Sequence, residues 1–473
     1  MLFPTFTFFA FFILILILNW SLKQKPLLWR VFLLVSSYFF YATWNVRFLL
    51  IVFIVSLFNF YSAFLINKAS EERRKKIFLA ISIVINVLIL GFFKYYDFFR
   101  QSAEILLNKL GCSSDPILLN IILPVGLSFY ILRAISYNVD IFRRKITLES
   151  SLLDFSIYIS FFPQLLAGPI MRAGEFLPQL KNSGSKIIEN INENFALILG
   201  GLFKKIVIAS YLTVNIVDDV FAVPQNHSQL MVLMAIYAYA IVIYCDFSGY
   251  SDIAVGVAGL MGFKSPINFN APYLAVDFRD FWRRWHITFS KWLRDYVYIP
   301  LGGNRKGRSR TYFNLLITMF VSGLWHGAGI NFIFWGILHG LGLMFGHIRE
   351  QYLQGLRSKF SGSLEKILSG FITFNLVCFF WIFFRADSMQ NAFDVIKQLF
   401  NWQASIEPIA VYTIYFIVFS LLLFAFGERI KSLFINLQEK LPLPLQVLII
   451  SFFVIILVKL GPDIIPPFIY FKF

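Results

Sequence analysis

What most constrains this chain is the recurrence of apolar runs about as long as a bilayer is thick. A helix needs roughly 20 residues to cross the hydrocarbon core. Runs of that order, such as FTFFAFFILILILNW, fall near 3–20, 28–44, 48–66, 77–96, 117–139, 154–171, 193–219, 229–262, 311–325, 330–348, 367–384, 409–427 and 444–461. In lipid the backbone must satisfy its own polar groups, so only helices and closed barrels span. A barrel would read as ten-residue segments of alternating polarity, and these runs do not alternate. The expected fold is an all-α polytopic membrane protein with about 11–13 transmembrane or re-entrant helices. Composition agrees: 58% of residues are hydrophobic and the mean hydropathy is +0.71, where soluble domains hold roughly 45–50% apolar residues.

No internal repeat, low-complexity segment or soluble insertion interrupts the pattern, so residues 1–473 are expected to form a single integral-membrane domain. The run 229–262 is too long for one simple crossing and contains YCDFSGYSD, which suggests a long tilted or broken helix. The stretch 264–310 is too polar to span and too aromatic to be a free loop.

The net charge of +16 comes from 42 Lys and Arg against 26 Asp and Glu. Most of the basic residues sit in short loops between apolar runs. That is the positive-inside pattern with attraction to anionic membrane lipid, and no nucleic-acid partner is implied. Lys23 and Lys25, the stretch ASEERRKKI with Arg73, Arg74, Lys75 and Lys76, and FRRK with Arg143, Arg144 and Lys145 fall on one side, assigned to the cytoplasm, with the N-terminus outside. Cys112, Cys245 and Cys378 are scattered singly, so neither a disulfide frame nor a metal site is expected. The opening MLFPTFTFF has no basic n-region or small-residue cleavage site and reads as a retained first span.

Against this background the ionisable residues are costly, and each asks for a reason. In DFRDFWRRWHITFSKWLRDYVYIP (277–300), Phe278, Trp282, Trp285, Phe289, Trp292 and Tyr296 are spaced as one helical stripe. Arg279, Arg283, His286 and Ser290 line a neighbouring face, and Asp280 and Arg284 stand four apart, where they can pair. Pro300 and Gly302–Gly303 end this helix. An interfacial belt helix with snorkelling arginines accounts for the periodicity but leaves His286 unexplained.

His326 lies in SGLWHGAG between Gly323, Gly327 and Gly329. Such glycines let a second backbone or a ligand come close, so helix packing around a structural histidine and a functional site both remain open. His339, thirteen positions on, reads as structural, and His227 and His347 as solvated. Asp246 and Asp252, with Ser248 and Ser251 around Gly249, suggest either a proton relay or, preferably, ion-pair partners for the arginines at 279–284, with Gly249 breaking or bending the helix.

There is no Gly-rich phosphate loop, HExxH, GxSxG or H-x4-D box: the residue five after His286 is Lys291. The two histidines remain the best candidates, because a neutral imidazole can take a proton from a hydroxyl near pH 7. The acyl chemistry that needs only such a base is direct transfer from a thioester to an alcohol.

The chain resembles the membrane-bound O-acyltransferases, and most of all their bacterial branch that contains alginate O-acetyltransferase. The resemblance rests on LPVGLSFY (123–130), FFPQLLAGPI (161–170), DFSGYSDIAVG (246–256), NFNAPY (268–273), RDFWRRWHITFSKWLRDYVYIPLGGNRKG (279–307), SGLWHGAG (322–329) and WIFFRA (381–386), with a best-matching core of about 120–390. It implies a ring of helices around a central funnel or tunnel in a bacterial cytoplasmic membrane. It further implies His326 as catalytic base, with His286 as its companion.

Trp325, Asn270, Arg283, Trp282, Asp246 and Ser290 are candidate substrate-binding residues; Arg305 and Lys306, in the basic loop GGNRKGRSR, are either part of the positive-inside pattern, the preferred reading, or candidates for the donor's phosphates if the loop faces the cytoplasm. The donor would be acetyl-CoA or another acyl thioester, with no tightly bound cofactor. The acceptor would be a hydroxyl on the extracytoplasmic side, of an exported or cell-wall polysaccharide reached through a periplasmic partner protein. D-alanyl or other acyl transfer and a non-enzymatic transporter are the alternatives. Arg133, in SFYILRAISY, stands where relatives often have a glutamine-type residue, which bears on donor or acceptor preference.

Overall fold

The apolar runs fold as helices, and no strand occurs among the described residues of the computed structural model, which are 1–111, 123–182, 190–353, 362–401, 411–462 and 466–469. Cys112 lies outside them. Eight helices among these residues are long and apolar enough to cross a membrane, and two shorter apolar ones precede them. The chain divides into two compact units, one of residues 1–189 with 257–265 and the other of 190–256 with 266–473.

The first unit contains α1 (Phe6–Leu22), α2 (Pro26–Ala42), α3 (Val46–Lys68), α4 (Glu72–Lys109), α5 (Leu127–Phe142), α6 (Leu152–Ser160), α7 (Phe162–Leu165) and α8 (Ala173–Lys181). Their starts are chemically marked: Thr5 Oγ1 accepts from Phe8 N at α1, and Asn45 Oδ1 from Arg47 N at α3. A buried amide network registers three of them. Asn59 on α3 and Asn86 on α4 donate to each other at 3.1 and 2.7 Å. Asn138 on α5 donates to Asn59 Oδ1 at 2.7 Å and to Ser82 Oγ at 2.6 Å. Buried amides left alone are costly, so each contact favours this packing over a slipped one.

The apolar run at 154–171 does not make one crossing. It breaks at Phe161–Phe162, with Pro163 opening α7. The break leaves carbonyls without helical donors. Arg133 on α5, only 1% exposed, answers them: it donates to Tyr158 O at 3.3 Å and Gln164 O at 2.7 Å. Its buried cation sits where α6 ends, on the favourable end of the helix dipole.

The second unit contains α9 (Ile191–Ala222), which includes π-helical turns at Phe203–Ala209 and Thr213–Val217, and α10 (Gln229–Leu260), whose last residues belong to the first unit. It continues with α11 (Phe278–Arg284), α12 (Ile287–Leu293), α13 (Arg308–His326), α14 (Ile330–Leu353), α15 (Ser363–Arg385), α16 (Met389–Leu399), α17 (Val411–Lys440) and α18 (Leu443–Leu460). α10 is one uninterrupted helix from Gln229 to Leu260. Its Gly249 serves as a contact: a Cβ there would lie 2.7 Å from Gly201 O on α9, and one on Gly201 2.5 Å from Gly249 O.

This close approach explains the two acids. Lys204 pairs with Asp252, and Lys205 with Asp246 at 2.5 Å. The expected partners at 279–284 are not the ones used: Arg284 pairs with Asp280 at 2.9 Å, as their spacing predicts. Adjacent lysines on the π-helical turn of α9 stand directly over α10, where its aspartates are.

Candidate active site

The 277–300 stretch is not the single helix its aromatic stripe suggests. α11 ends at Arg284, Trp285 is extended (φ −97°, ψ 128°), and His286 takes the left-handed conformation (φ 41°, ψ 55°) before α12 begins. A side chain bearing a Cβ is strained there. The neighbouring stretch 268–270 holds the elbow in place. Ile287 N donates to Asn268 O and Asn270 N to Arg284 O, both at 2.9 Å. Asn268 Oδ1 accepts from Thr288 N and Oγ1. Ser290 closes the far side, donating from Oγ to Trp285 O at 3.2 Å. Periodicity cannot reveal this break, because both halves keep the helical spacing.

The elbow turns the His286 imidazole into a wall of rings. Phe247 lies 4.6 Å away, Phe289 4.9 Å and Trp325 6.0 Å. Burial pushes its pKa well below 6.5 and keeps it neutral at physiological pH.

His326 ends α13, and a three-residue turn leads into α14. These two helices pack backbone to backbone: a Cβ on Gly323 would lie 2.4 Å from Phe332 O, and one on Gly336 2.4 Å from Met319 O. Of the glycines around His326, Gly323 therefore serves helix packing, while Gly327 and Gly329 lie in the turn against the side chains of Phe332 and Asn331. Asn331 pins the start of α14 to the end of α15 through Phe383 O (3.1 Å) and Ala386 O (2.8 Å). As a result His326, 3% exposed, meets Trp325 and Trp335 at 4.9 Å, Phe384 at 5.0 Å and Phe289 at 5.9 Å.

Phe289 and Trp325, 4.3 Å apart, thus touch both histidines. The arrangement offers two imidazoles in a largely water-free aromatic setting. An imidazole there can accept a hydroxyl proton, and surrounding dipoles act more strongly than in water.

The remaining expected residues divide. Trp282 is buried but packs on Trp335 at 6.0 Å and His339 at 5.2 Å, one layer behind. His339 itself is wholly buried, ringed by Phe278, Trp282, Trp335 and Phe380. Arg283 and Asn270 are exposed, and the buried amide beside the elbow is Asn268. Asp246 is held by Lys205 and accepts from Ile469 N at 2.8 Å. Arg305 and Lys306 lie on an exposed loop. Sequence reasoning did not single out Asn268, Asn331, Trp335 or Phe384. The spacing of Asn331, Trp335 and His339, four apart on one face of α14, was the available signal.

Residues 140–386 match MBOAT, the membrane-bound O-acyltransferase family. The chain is 37% identical over 400 residues to the peptidoglycan O-acetyltransferase of Helicobacter pylori, covering 79% of this chain and 74% of that protein. It is 34% identical over 468 residues to the probable alginate O-acetylase of Pseudomonas putida, 94% of each chain. It is 30% identical over 281 residues to the teichoic acid D-alanyltransferase of Streptococcus thermophilus, 55% of this chain and 68% of that one. Both histidines and the rings joining them fall inside the matched residues, and the chain belongs to the membrane-bound O-acyltransferase family.

Proposed function

We propose that this multi-pass membrane acyltransferase moves an acetyl group from a cytoplasmic thioester such as acetyl-CoA to a hydroxyl on the far side of a bacterial cytoplasmic membrane. The final acceptor is an exported or cell-wall polysaccharide, reached through a periplasmic partner protein. The observation that carries this reading is the pair of buried histidines joined by Phe289 and Trp325. The acetyl group is favoured over D-alanine because the O-acetyl-transferring relatives match more of the chain at higher identity.

In this reading His326 takes the acceptor's hydroxyl proton as the oxygen attacks the thioester carbonyl. A C–O bond forms, the carbonyl electrons move onto oxygen, and collapse breaks the C–S bond. His326 then returns the proton to the leaving thiolate. His286, kept neutral by burial, orients the acceptor or donates to the developing oxyanion. Trp325 forms the wall shared by both. Arg305 and Lys306, on their exposed loop, are available to donor phosphates. Trp282 supports the ring cluster around His326 from behind, through Trp335, while Arg283, Asn270 and Ser290 shape the elbow's surroundings.

The test is transfer from labelled acetyl-CoA by protein in nanodiscs supplied with partner and acceptor extracts. His326→Ala is expected to lower turnover by about 100- to 10,000-fold, the usual contribution of a positioned acid–base group. Full activity in that variant removes the base assignment. Turnover with a D-alanyl donor but not with acetyl-CoA moves the protein to the alternative acyl group.

A further inference from the structure

The ion pair Lys205–Asp246 is buried on both sides, at 3% and 5% side-chain exposure. Such pairs give up hydration for little net stability, so their retention calls for a geometric reason. Here both charges are also committed to the backbone of residues 466–469. Lys205 Nζ donates to Pro466 O at 2.9 Å and Pro467 O at 3.5 Å, and Asp246 Oδ2 accepts from Ile469 N at 2.8 Å. The two prolines have fixed φ and no N–H to satisfy, so little freedom is lost when this stretch docks.

Docking drives Phe468 inward. It is 1% exposed, with its ring 4.6 Å from Tyr250 and 5.8 Å from Phe247 on α10. Phe247 in turn stands edge-on to His286 at 4.6 Å. The strained left-handed backbone of His286 persists only while its surroundings over-determine it.

We propose that residues 466–469 are a positioning element of the active site: clamped by Lys205 and Asp246, Phe468 braces Phe247 and thereby holds the His286 elbow. This rests on the acyl-transfer reading only for its kinetic consequence, since the brace itself has a structural readout.

The experiment compares full-length wild type, Phe468→Ala, Phe468→Tyr, Ile469→Ala and Ile469→Pro in nanodiscs. Amide hydrogen exchange at 286–290 and turnover with acetyl-CoA are measured on the same samples. Phe468→Ala and Ile469→Pro are expected to exchange at least tenfold faster at 286–290. They should also lose at least tenfold in kcat, with donor KM changed less than twofold. Phe468→Tyr keeps the ring and Ile469→Ala keeps the N–H, so both stay near wild type. The double variant Phe468→Ala/Ile469→Pro is expected to be no worse than the poorer single one.

Wild-type exchange at 286–290 in Phe468→Ala overturns the brace, whatever the turnover. Equal loss in Ile469→Ala and Ile469→Pro overturns the role of the Asp246 hydrogen bond. A wild type that transfers no acyl group, while the exchange differences persist, removes the acyl-transfer reading and leaves the brace standing.

Discussion

Asn268 Oδ1 accepts two hydrogen bonds from Thr288, from the amide at 3.2 Å and from the hydroxyl at 2.9 Å. The two residues are twenty positions apart and flank His286 from outside. Their contact fastens α12 to the preceding 268–270 stretch and fixes the direction in which α12 leaves the elbow.

Asn268→Leu should therefore loosen the elbow at its base. The substitution removes an acceptor from two buried donors, a loss of about 1–3 kcal/mol. The expected result is a lower unfolding midpoint in detergent and a fall in kcat larger than any change in donor KM. Asn268→Asp, which keeps the acceptor oxygen, should recover most of both.

Two adjacent regions of α9 should respond oppositely to the same change. Gly200→Ala meets nothing within 4 Å and should be neutral or slightly stabilising. Gly201→Ala meets Gly249 O at 2.5 Å and should force the helices apart, a cost of about 1–3 kcal/mol. Thermal unfolding of the two variants side by side checks this. Equal midpoints would mean that α9 and α10 are not in backbone contact at Gly201 and Gly249.

Arg133→Met should destabilise the first unit by about 2 kcal/mol, because hydrogen bonds from a charged donor to Tyr158 O and Gln164 O are lost. Limited proteolysis at the α6–α7 break gives the local readout. Donor preference should not change if capping these carbonyls is the whole role of Arg133.

The buried neutral state of His286 has a pH signature. Its folded pKa lies below 6.5, while the unfolded imidazole titrates near that value. As pH falls through the unfolded value, the unfolded state binds a proton that the folded state does not. This contribution to stability is thus present above pH 6.5 and lost below it. The unfolding midpoint of wild type should drop between pH 7.5 and 5.5 more steeply than that of His286→Gln.

Much of this was legible in the residues, for identifiable reasons. Runs such as 48–66 and 367–384 became α3 and α15 because lipid leaves an apolar segment little alternative to helix. His326 and His286 stood out because ionisable groups are rare in such surroundings. The break at His286 was hidden, since Phe278 to Tyr296 keep one helical spacing across it and the hydrogen bonds that cause it come from residue 268. The partners of Asp246 and Asp252 were hidden for a related reason. Only the close glycine crossing of α9 and α10 puts Lys204 and Lys205 ahead of the nearer arginines in sequence. Pattern alone does not say which of the two amides in NFNAPY faces inward, so the sequence does not distinguish the buried Asn268 from the exposed Asn270.

The four rings around His326 carry one more consequence. A thioester is stable toward alcohols and toward water on similar terms, and water is the more abundant nucleophile. An imidazole flanked by Trp325, Trp335, Phe384 and Phe289 offers bulk solvent little standing room. In the proposed reaction, the same wall that makes this histidine expensive to bury would also protect the thioester from futile hydrolysis. On that proposal, the ratio of product formed to thioester wasted would be set by aromatic packing rather than by the basicity of the histidine.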